Sequence, residues 1–168
     1  FRVMPEAVVL PRSAEQVQAV VRLCAKDKIP FVSRGAGTGL SGGALPAADG
    51  IVISLARMNR ILNVDLANRQ VVVEPGVINA HVTQRVSAQG YFYAPDPSSY
   101  DWCTLGGNLS TNAGGLCCVK YGVTTDAVLG LQVVLASGEV MRTGRRTVKG
   151  VAGYDLTHLL IGSEGTLA

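Results

Sequence analysis

The sequence predicts an α+β fold made of two small lobes, and three observations support this prediction. The first 56 residues alternate strand, helix and strand patterns, whereas the rest of the chain is patterned mainly as hairpins with helices between them. The length of 168 residues suits one domain. Its 20 glycines among 168 residues are about 12% of the chain, above the average usage of about 7%, and they indicate many tight turns. We therefore expect lobe one over about residues 1–56 and lobe two over about 57–168.

Lobe one begins with a predicted strand over 7–10, which ends at a proline. Ser13 and Gln16 have the spacing of a capping box, and apolar residues then recur at helical intervals through Cys24. We therefore predict a helix over 13–28. Two further short apolar runs predict strands over 29–32 and 51–55.

Lobe two is predicted to contain two hairpins and two helices. In chain order these are a hairpin of 60–66 with 70–75, a helix over 77–89 ended by Gly90, a hairpin of 128–136 with 139–142, and a helix over 154–161. Residues 94–115 show no regular periodicity and contain many turn-forming residues. A loop of this length inside one domain is usually functional or disordered.

Composition and spacing exclude several classes of protein. The formal net charge is only +3 and the pair Arg145–Arg146 is isolated, so no nucleic-acid partner is predicted. The longest apolar runs are about ten residues, too short for a transmembrane segment. The four cysteines lack metal-ligand spacing, and the histidines are only His81 and His158. We expect no metal site, reduced thiols and a cytoplasmic location.

A glycine-rich stretch, RGAGTGLSGGA over 34–44, follows the second predicted strand. Gly37 to Gly42 matches G-x-G-x-x-G, but the dinucleotide fingerprint needs a helix at the third glycine, and here Pro46 and a strand follow. A Rossmann NAD site is therefore disfavoured. Turn amides in such a loop can converge on a phosphate, and the hydroxyls of Thr38 and Ser41 add donors. The alternative is a glycine-rich surface turn.

Two later stretches also carry polar groups beside glycines. The first comprises PDPSS over 95–99 and TLGGNLSTNAGG over 104–115. Its paired glycines permit close approach to a flat ligand, although a series of Asx and Ser/Thr turns is an equal alternative. The second is GSEGT over 162–166, where a helix C-cap at Gly162 is the simpler interpretation.

Taken together and in this order, the stretches resemble the FAD-binding domain of the vanillyl-alcohol-oxidase / p-cresol-methylhydroxylase superfamily. They are similar to its glycolate oxidase D-subunit branch in RGAGTGLSGGALP (34–46), YAPDPSS (93–99), GGNLSTNAGG (106–115), KYG (120–122) and GSEGTL (162–167). The resemblance covers essentially the whole chain. It implies an FAD-dependent oxidoreductase that oxidises a D-2-hydroxy acid such as glycolate or D-lactate, with FAD lying between two α+β lobes.

The resemblance also implies which residues bind FAD. The pyrophosphate would be cradled by the loop residues Arg34, Gly35, Ala36, Gly37, Thr38, Gly39, Leu40, Ser41 and Gly42. The flavin and its ribityl chain would be lined by Pro95, Asp96, Ser98, Ser99, Thr104, Leu105, Gly106, Gly107 and Asn108. The wall would continue through Ser110, Thr111, Asn112, Ala113 and Gly114, and the site would be closed by Glu164, Gly165 and Thr166.

Some members of the superfamily tether the flavin to a histidine within the phosphate loop. The corresponding stretch here offers Thr38 and no histidine, so the resemblance implies non-covalent, dissociable FAD. His81 and His158 are expected to be structural or exposed. In the family, a hydride passes from the substrate α-carbon to the flavin while a base takes the hydroxyl proton.

The family's substrate-binding and metal-binding side chains lie in a C-terminal cap domain, which we expect this chain to lack. The catalytic residues are therefore unassigned, and this chain alone is expected to be inactive. Asp96, Asp155 and Glu164 are carboxylates in or near the segments implied to bind FAD. A turn cap or a ribose contact explains each of them as well as the role of catalytic base does. An uncovered apolar patch would favour self-association.

Two alternatives remain open at this point. The first is an FAD oxidoreductase of the same superfamily that acts on a phenol, a sugar or a cell-wall precursor. The second is a non-catalytic nucleotide-binding module. The expected partners are a small 2-hydroxy acid bound through the cap domain and further subunits or an electron-acceptor protein. Membrane association through partner subunits stays open beside the cytoplasmic location.

Overall fold

A three-stranded parallel sheet forms the first part of the computed structural model, which describes residues 2–168. Its strands are β1 (Ala7–Val9), β2 (Phe31–Arg34) and β3 (Ile51–Ser54), in the spatial order β1-β3-β2. The helix α1 (Ala14–Asp27) is the crossover between β1 and β2. Because parallel strands are covered by crossover helices, the central strand β3 is the buried one, with Val52 and Ile53 in the core.

The predicted helix 13–28 is confirmed, with one difference at its N-terminus. Ser13 is the N-cap and its side chain accepts a hydrogen bond from the Gln16 amide at 3.4 Å. The Gln16 side chain accepts from the amide of Arg12 at 2.8 Å, one residue earlier than a capping box requires. The helix ends at Lys28, which has a left-handed φ of 56°.

The next strand begins later than the predicted 29–32. Pro30 precedes it and has no amide to donate to a sheet, although its carbonyl accepts from the Ile51 amide at 2.9 Å. The strand therefore begins at Phe31 and ends at Arg34, immediately before the glycine-rich stretch. Residues 35–50 contain neither helix nor strand, so the helix that a dinucleotide fingerprint needs is not found in that stretch.

The second sheet is the predicted hairpin of β4 (Ile61–Asp65) and β5 (Gln70–Val73). The helix α2 (Asn79–Val86) follows it and continues as a 3-10 turn to Gly90, whose φ is 80°. A small core of Val77, Val82 and Leu105 is packed by partly buried side chains of the hairpin. This core holds α2 against the second sheet.

The third sheet is the predicted hairpin of β6 (Gly130–Val134) and β7 (Val140–Gly144), followed by α5 (Leu156–Leu160). The tip of this hairpin contacts α1, because Gln18 Nε2 donates to the Gly138 carbonyl at 2.7 Å. The α+β class is therefore confirmed. The lobe boundary near residue 56 stays a prediction.

One prediction about lobe two is wrong. The stretch 94–115 was expected to lack regular structure, but it contains α3 (Leu105–Thr111), and a further short helix α4 (Cys118–Tyr121) follows it. Thr104 caps α3 at its N-terminus, and Asn112 ends it with a left-handed φ of 48°. These caps and the packing of the helix outweigh the low helix propensity of its glycines.

No helix in the described part of the chain is long and apolar enough to cross a bilayer.

Candidate functional site

Three segments that are distant in sequence meet in the structure: residues 35–44 (the glycine-rich loop), α3, and residues 162–166 (the terminal turn). A Cβ placed on Gly35 would overlap Thr104 Oγ1 and lie 3.6 Å from Gly107 Cα. A Cβ on Gly39 would lie 4.0 Å from Thr111 Cγ2, and one on Gly43 would lie 3.3 Å from Glu164 Oε2. The glycine-rich loop therefore runs along α3 towards the terminal turn.

Backbone hydrogen bonds fix the terminal turn to α3. The Gly162 amide donates to the Leu109 carbonyl at 2.9 Å, and the Glu164 amide donates to the Ser110 carbonyl at 2.8 Å. A Cβ on Gly165, whose φ is +76°, would lie 3.3 Å from Ser33 Oγ on β2. The turn therefore bridges α3 and the strand that leads into the glycine-rich loop.

The glycine-rich loop presents unpaired hydrogen-bond donors. From residue 35 to residue 44 no backbone amide donates a hydrogen bond to any other residue in the described range 2–168. The loop is largely exposed, and Leu40 at its tip is fully so. The Arg34 guanidinium folds over it, with Nη2 only 2.6 Å from where a Cβ of Gly37 would lie. Free amides beside a guanidinium form an arrangement suited to an anion.

The helix α3 is held by backbone bonds from its first turn. The Leu105 amide donates to the Val77 carbonyl and the Gly106 amide to the Pro75 carbonyl, both at 2.8 Å. A Cβ on Gly106 would lie 2.7 Å from Pro75 Cβ, so only glycine allows this approach. The side chain of Asn108 is buried, and its Nδ2 has no hydrogen-bond partner among the described residues.

An unpaired buried amide is costly, so Asn108 is the residue of α3 that most needs a further partner. A cofactor bound here would therefore have to accept hydrogen bonds from Asn108 Nδ2 and from the free loop amides. FAD carries phosphate charges and a flat ring with polar edges. Both sets of donors, and the glycines that permit close approach, fit such a ligand.

The stretch 95–99 is positioned by other elements. Asn79 Nδ2 on α2 donates to the carbonyl of the buried Pro95 at 3.0 Å, and the Asp96 carboxylate accepts from the Cys117 amide at 3.0 Å. The latter hydrogen bond lowers the pKa of Asp96. None of the hydrogen bonds of 95–99 within the described chain reaches the glycine-rich loop. Ser98 is exposed and Ser99 half-buried.

The end of the predicted wall is tied into the fold. Asn112 Oδ1 accepts from the Thr125 amide at 2.9 Å, and the Ala113 carbonyl accepts from the buried Thr124 hydroxyl at 2.7 Å. A Cβ on Gly114 would lie 3.3 Å from Val123 Cγ1. These contacts fix the residues that follow α3 against residues 123–125.

The candidate carboxylates have different surroundings. Asp96 acts as a turn cap, and Asp155 caps α5 by accepting from the His158 amide at 3.0 Å while its other oxygen lies 2.5 Å from His158 Nδ1. Glu164 is exposed, with a left-handed φ of 52°. Within residues 2–168, no group of three or more His, Cys, Asp or Glu side chains could hold a metal ion.

A cavity of about 230 Å³ lies where the glycine-rich loop begins. Gly35, Ala36 and Thr104 line it, as predicted site residues. The prediction did not include its other lining residues, which are Ala56, Asn59, Gly76, Ile78 and His81. Of these, only Gly76 follows a turn-forming proline in the sequence, and the structure requires glycine there because a Cβ would overlap the Leu55 carbonyl oxygen.

Comparison with known proteins gives a consistent result. A family model described as "FAD binding domain" matches residues 5–144. The chain is 47% identical over 167 residues to the glycolate oxidase subunit GlcD of Bacillus subtilis, covering 99% of this chain and 36% of that protein. It is 47% identical over 163 residues to a D-lactate dehydrogenase of Anaerostipes hadrus, covering 97% and 34%. It is 40% identical over 167 residues to a D-2-hydroxyglutarate dehydrogenase of Stutzerimonas stutzeri, covering 99% and 36%.

Solved structures show the same fold. An alkyldihydroxyacetonephosphate synthase superposes with a TM-score of 0.80 and 29% identity, over 95% of this chain and 31% of that one. The chain therefore spans about a third of the length of the curated relatives and solved structures it matches.

Proposed function

Because the chain belongs to the FAD binding domain family, we propose that it holds FAD without a covalent bond, in the groove between the glycine-rich loop and α3. We further propose that it serves a longer oxidoreductase acting on a D-2-hydroxy acid. The observation that carries this proposal is the row of unpaired amides over 35–44, set directly against α3 and beside the Arg34 guanidinium. A diphosphate has the charge and the acceptor oxygens to satisfy these donors.

Each segment has a separate task in this proposal. The loop amides and Arg34 bind and orient the diphosphate, and Asn108 donates to a polar edge of the flavin ring. Gly106 holds α3 against Pro75, and Gly107 lets the helix backbone approach the ligand. Asp96, Asn112 and Ala113 act through the backbone they hold in place. When bound, FAD would supply the acceptor for a hydride from the substrate α-carbon.

The choice of substrate class is supported by the names of three relatives. Glycolate, D-lactate and D-2-hydroxyglutarate, after which they are named, are all 2-hydroxy acids. Since the chain spans about a third of each relative, we assign the substrate contacts and the catalytic base to parts of the longer protein.

The cofactor proposal is tested with FAD and the purified chain. We expect quenching of flavin fluorescence on binding, and release of all flavin into the supernatant after acid precipitation. Asn108→Ala is expected to weaken FAD binding about tenfold, since it removes a buried donor. The melting temperature of the ligand-free variant should fall little, because that donor has no partner without ligand. Asn63→Ala, on an exposed position of β4, is the matched control and should change neither quantity.

Yellow protein after acid precipitation would refute the non-covalent attachment. Binding of ADP as tight as that of FAD, with no effect of Asn108→Ala, would favour the nucleotide-binding module. Dye reduction dependent on glycolate, D-lactate or D-2-hydroxyglutarate is expected from the longer protein and not from these 168 residues. Turnover of a phenol or sugar alone would point to the other branch of the superfamily.

A further inference from the structure

A second cleft, of about 470 Å³, lies beside the cavity at the start of the glycine-rich loop. It is lined by Arg12, Ala56, Arg57, Asn59 and Arg60, so three of its five lining residues carry a guanidinium. Ala56 and Asn59 also line the smaller cavity, and the two spaces are therefore neighbours. None of the residues predicted to bind FAD lines this second cleft.

One of the three arginines is fixed in place. Arg60 Nε and Nη2 donate to Glu74 Oε1 at 3.1 and 2.7 Å, and the Arg60 amide donates to Glu74 Oε2 at 2.8 Å. Glu74 is buried, and its carboxylate is paired with the Arg60 guanidinium in a salt bridge. Arg60 therefore reaches the cleft in a defined orientation, with its remaining N–H groups free to donate.

The other two arginines, Arg12 and Arg57, have no acidic partner among the described residues, and both are exposed. The backbone next to Arg57 is fixed to the fold at Met58, which is buried and whose carbonyl accepts from the Gly76 amide at 2.7 Å. Two uncompensated positive charges thus face one cleft from two different segments.

The lining indicates the class of ligand. The cleft contains guanidinium and amide groups and a single methyl side chain, but no aromatic or large apolar residue that would bind a ring. The cleft is open to solvent, so a small molecule can reach its guanidinium groups directly. Guanidinium groups match the oxygens of phosphate with paired hydrogen bonds. From this geometry we propose that Arg12, Arg57 and Arg60 form a binding site for a phosphate-bearing small molecule, separate from the FAD groove.

The test is calorimetric titration of the FAD-saturated chain with inorganic pyrophosphate. We expect one pyrophosphate to bind, and Arg57→Gln and Arg12→Gln each to weaken it about tenfold through the loss of a charged hydrogen bond. Affinity should also fall with ionic strength. Lys26→Gln, which removes the same charge from the exposed end of α1, is the matched control and should bind as the wild type does.

Unchanged pyrophosphate affinity in both arginine variants would overturn the proposal. So would pyrophosphate binding to the FAD-free chain but not to the FAD-saturated chain, because the anion would then occupy the cofactor groove. If the chain binds no FAD, the titration is made without it. A loss of affinity in the arginine variants would then support the anion site while the proposed cofactor function fails.

Discussion

At Gly35 the glycine-rich loop touches α3 so closely that a Cβ would overlap Thr104 Oγ1. The same oxygen accepts from the Gly107 amide at 3.2 Å and caps the helix, so it cannot move away without losing the cap. We expect Gly35→Ala to lower the free energy of unfolding by about 1–3 kcal/mol. Urea denaturation of the ligand-free chain measures this change.

Gly39→Ala is the matched control for that substitution. Its Cβ would meet only Thr111 Cγ2, at 4.0 Å, which is an ordinary contact. The free energy of unfolding should therefore stay within about 0.5 kcal/mol of the wild-type value. An equal loss of stability in both variants would show that Gly35 has no special contact with α3.

Among the helices and strands, α3 is the one whose formation depends most clearly on a tertiary contact that local sequence patterns do not reveal. Gly106 and Gly107 weaken helix propensity, and the polar residues after them suit turns as well as a helix. The structure explains Gly106 by its contact with Pro75, which follows the β4–β5 hairpin and lies about 30 residues earlier in the chain. A tertiary contact of this kind cannot be inferred from local periodicity.

Other elements could be predicted because their signals are local. The helix α1 has a regular apolar repeat with a capping serine, and the β4–β5 hairpin has two apolar runs around a short turn. The start of β2 was missed because Pro30 reads as part of an apolar run although it lacks an amide. Local signals therefore place an element, while single residues decide where it begins.

The cap of α3 gives a prediction for the whole element. Thr104→Val keeps the volume of the side chain but removes the oxygen that accepts from the Gly107 amide. We expect the free energy of unfolding to fall by about 1 kcal/mol, and FAD affinity to fall with it, because the loop and the helix are both held at Thr104.

Thr104→Ser keeps the accepting oxygen and is the conservative control. It should retain most of the stability in urea denaturation and most of the FAD affinity in fluorescence titration. If serine and valine at this position destabilise the chain equally, the cap is not what holds α3 in place.

At the scale of the whole molecule, the candidate groove joins three segments that no local pattern connects. The resemblance placed the glycine-rich loop, α3 and the terminal turn around one ligand, and the structure brings these three together. It keeps the 95–99 stretch on α2 and on the turn at Cys117 instead. The cavity residues His81 and Asn59 escaped prediction, because their spatial neighbours come from distant parts of the chain.

Ionisable groups limit the stability of the whole molecule at both ends of the pH range. Hydrogen bonds to the charged forms lower the pKa of five carboxyl groups, those of Glu15, Asp65, Glu74, Asp96 and Asp155. Their contribution is present above the unfolded-state pKa and is lost as the pH falls through the lowered folded-state values. At the alkaline end, burial raises the pKa of Tyr93 from 10.0 to about 12.

The neutral Tyr93 favours the folded state, so its contribution is complete below pH 10.0 and is lost as the pH rises through about 12. Tyr93→Phe has no phenol to ionise. Its free energy of unfolding should therefore fall by about 1–2 kcal/mol less than that of the wild type over this pH range. Melting temperatures measured from neutral pH to about 12 test this, with the exposed Tyr154→Phe as control. Burial also raises the pKa of Cys24, so some slope remains in every variant. A Tyr93→Phe chain that loses stability as steeply as the wild type would show that this phenol does not set the alkaline limit.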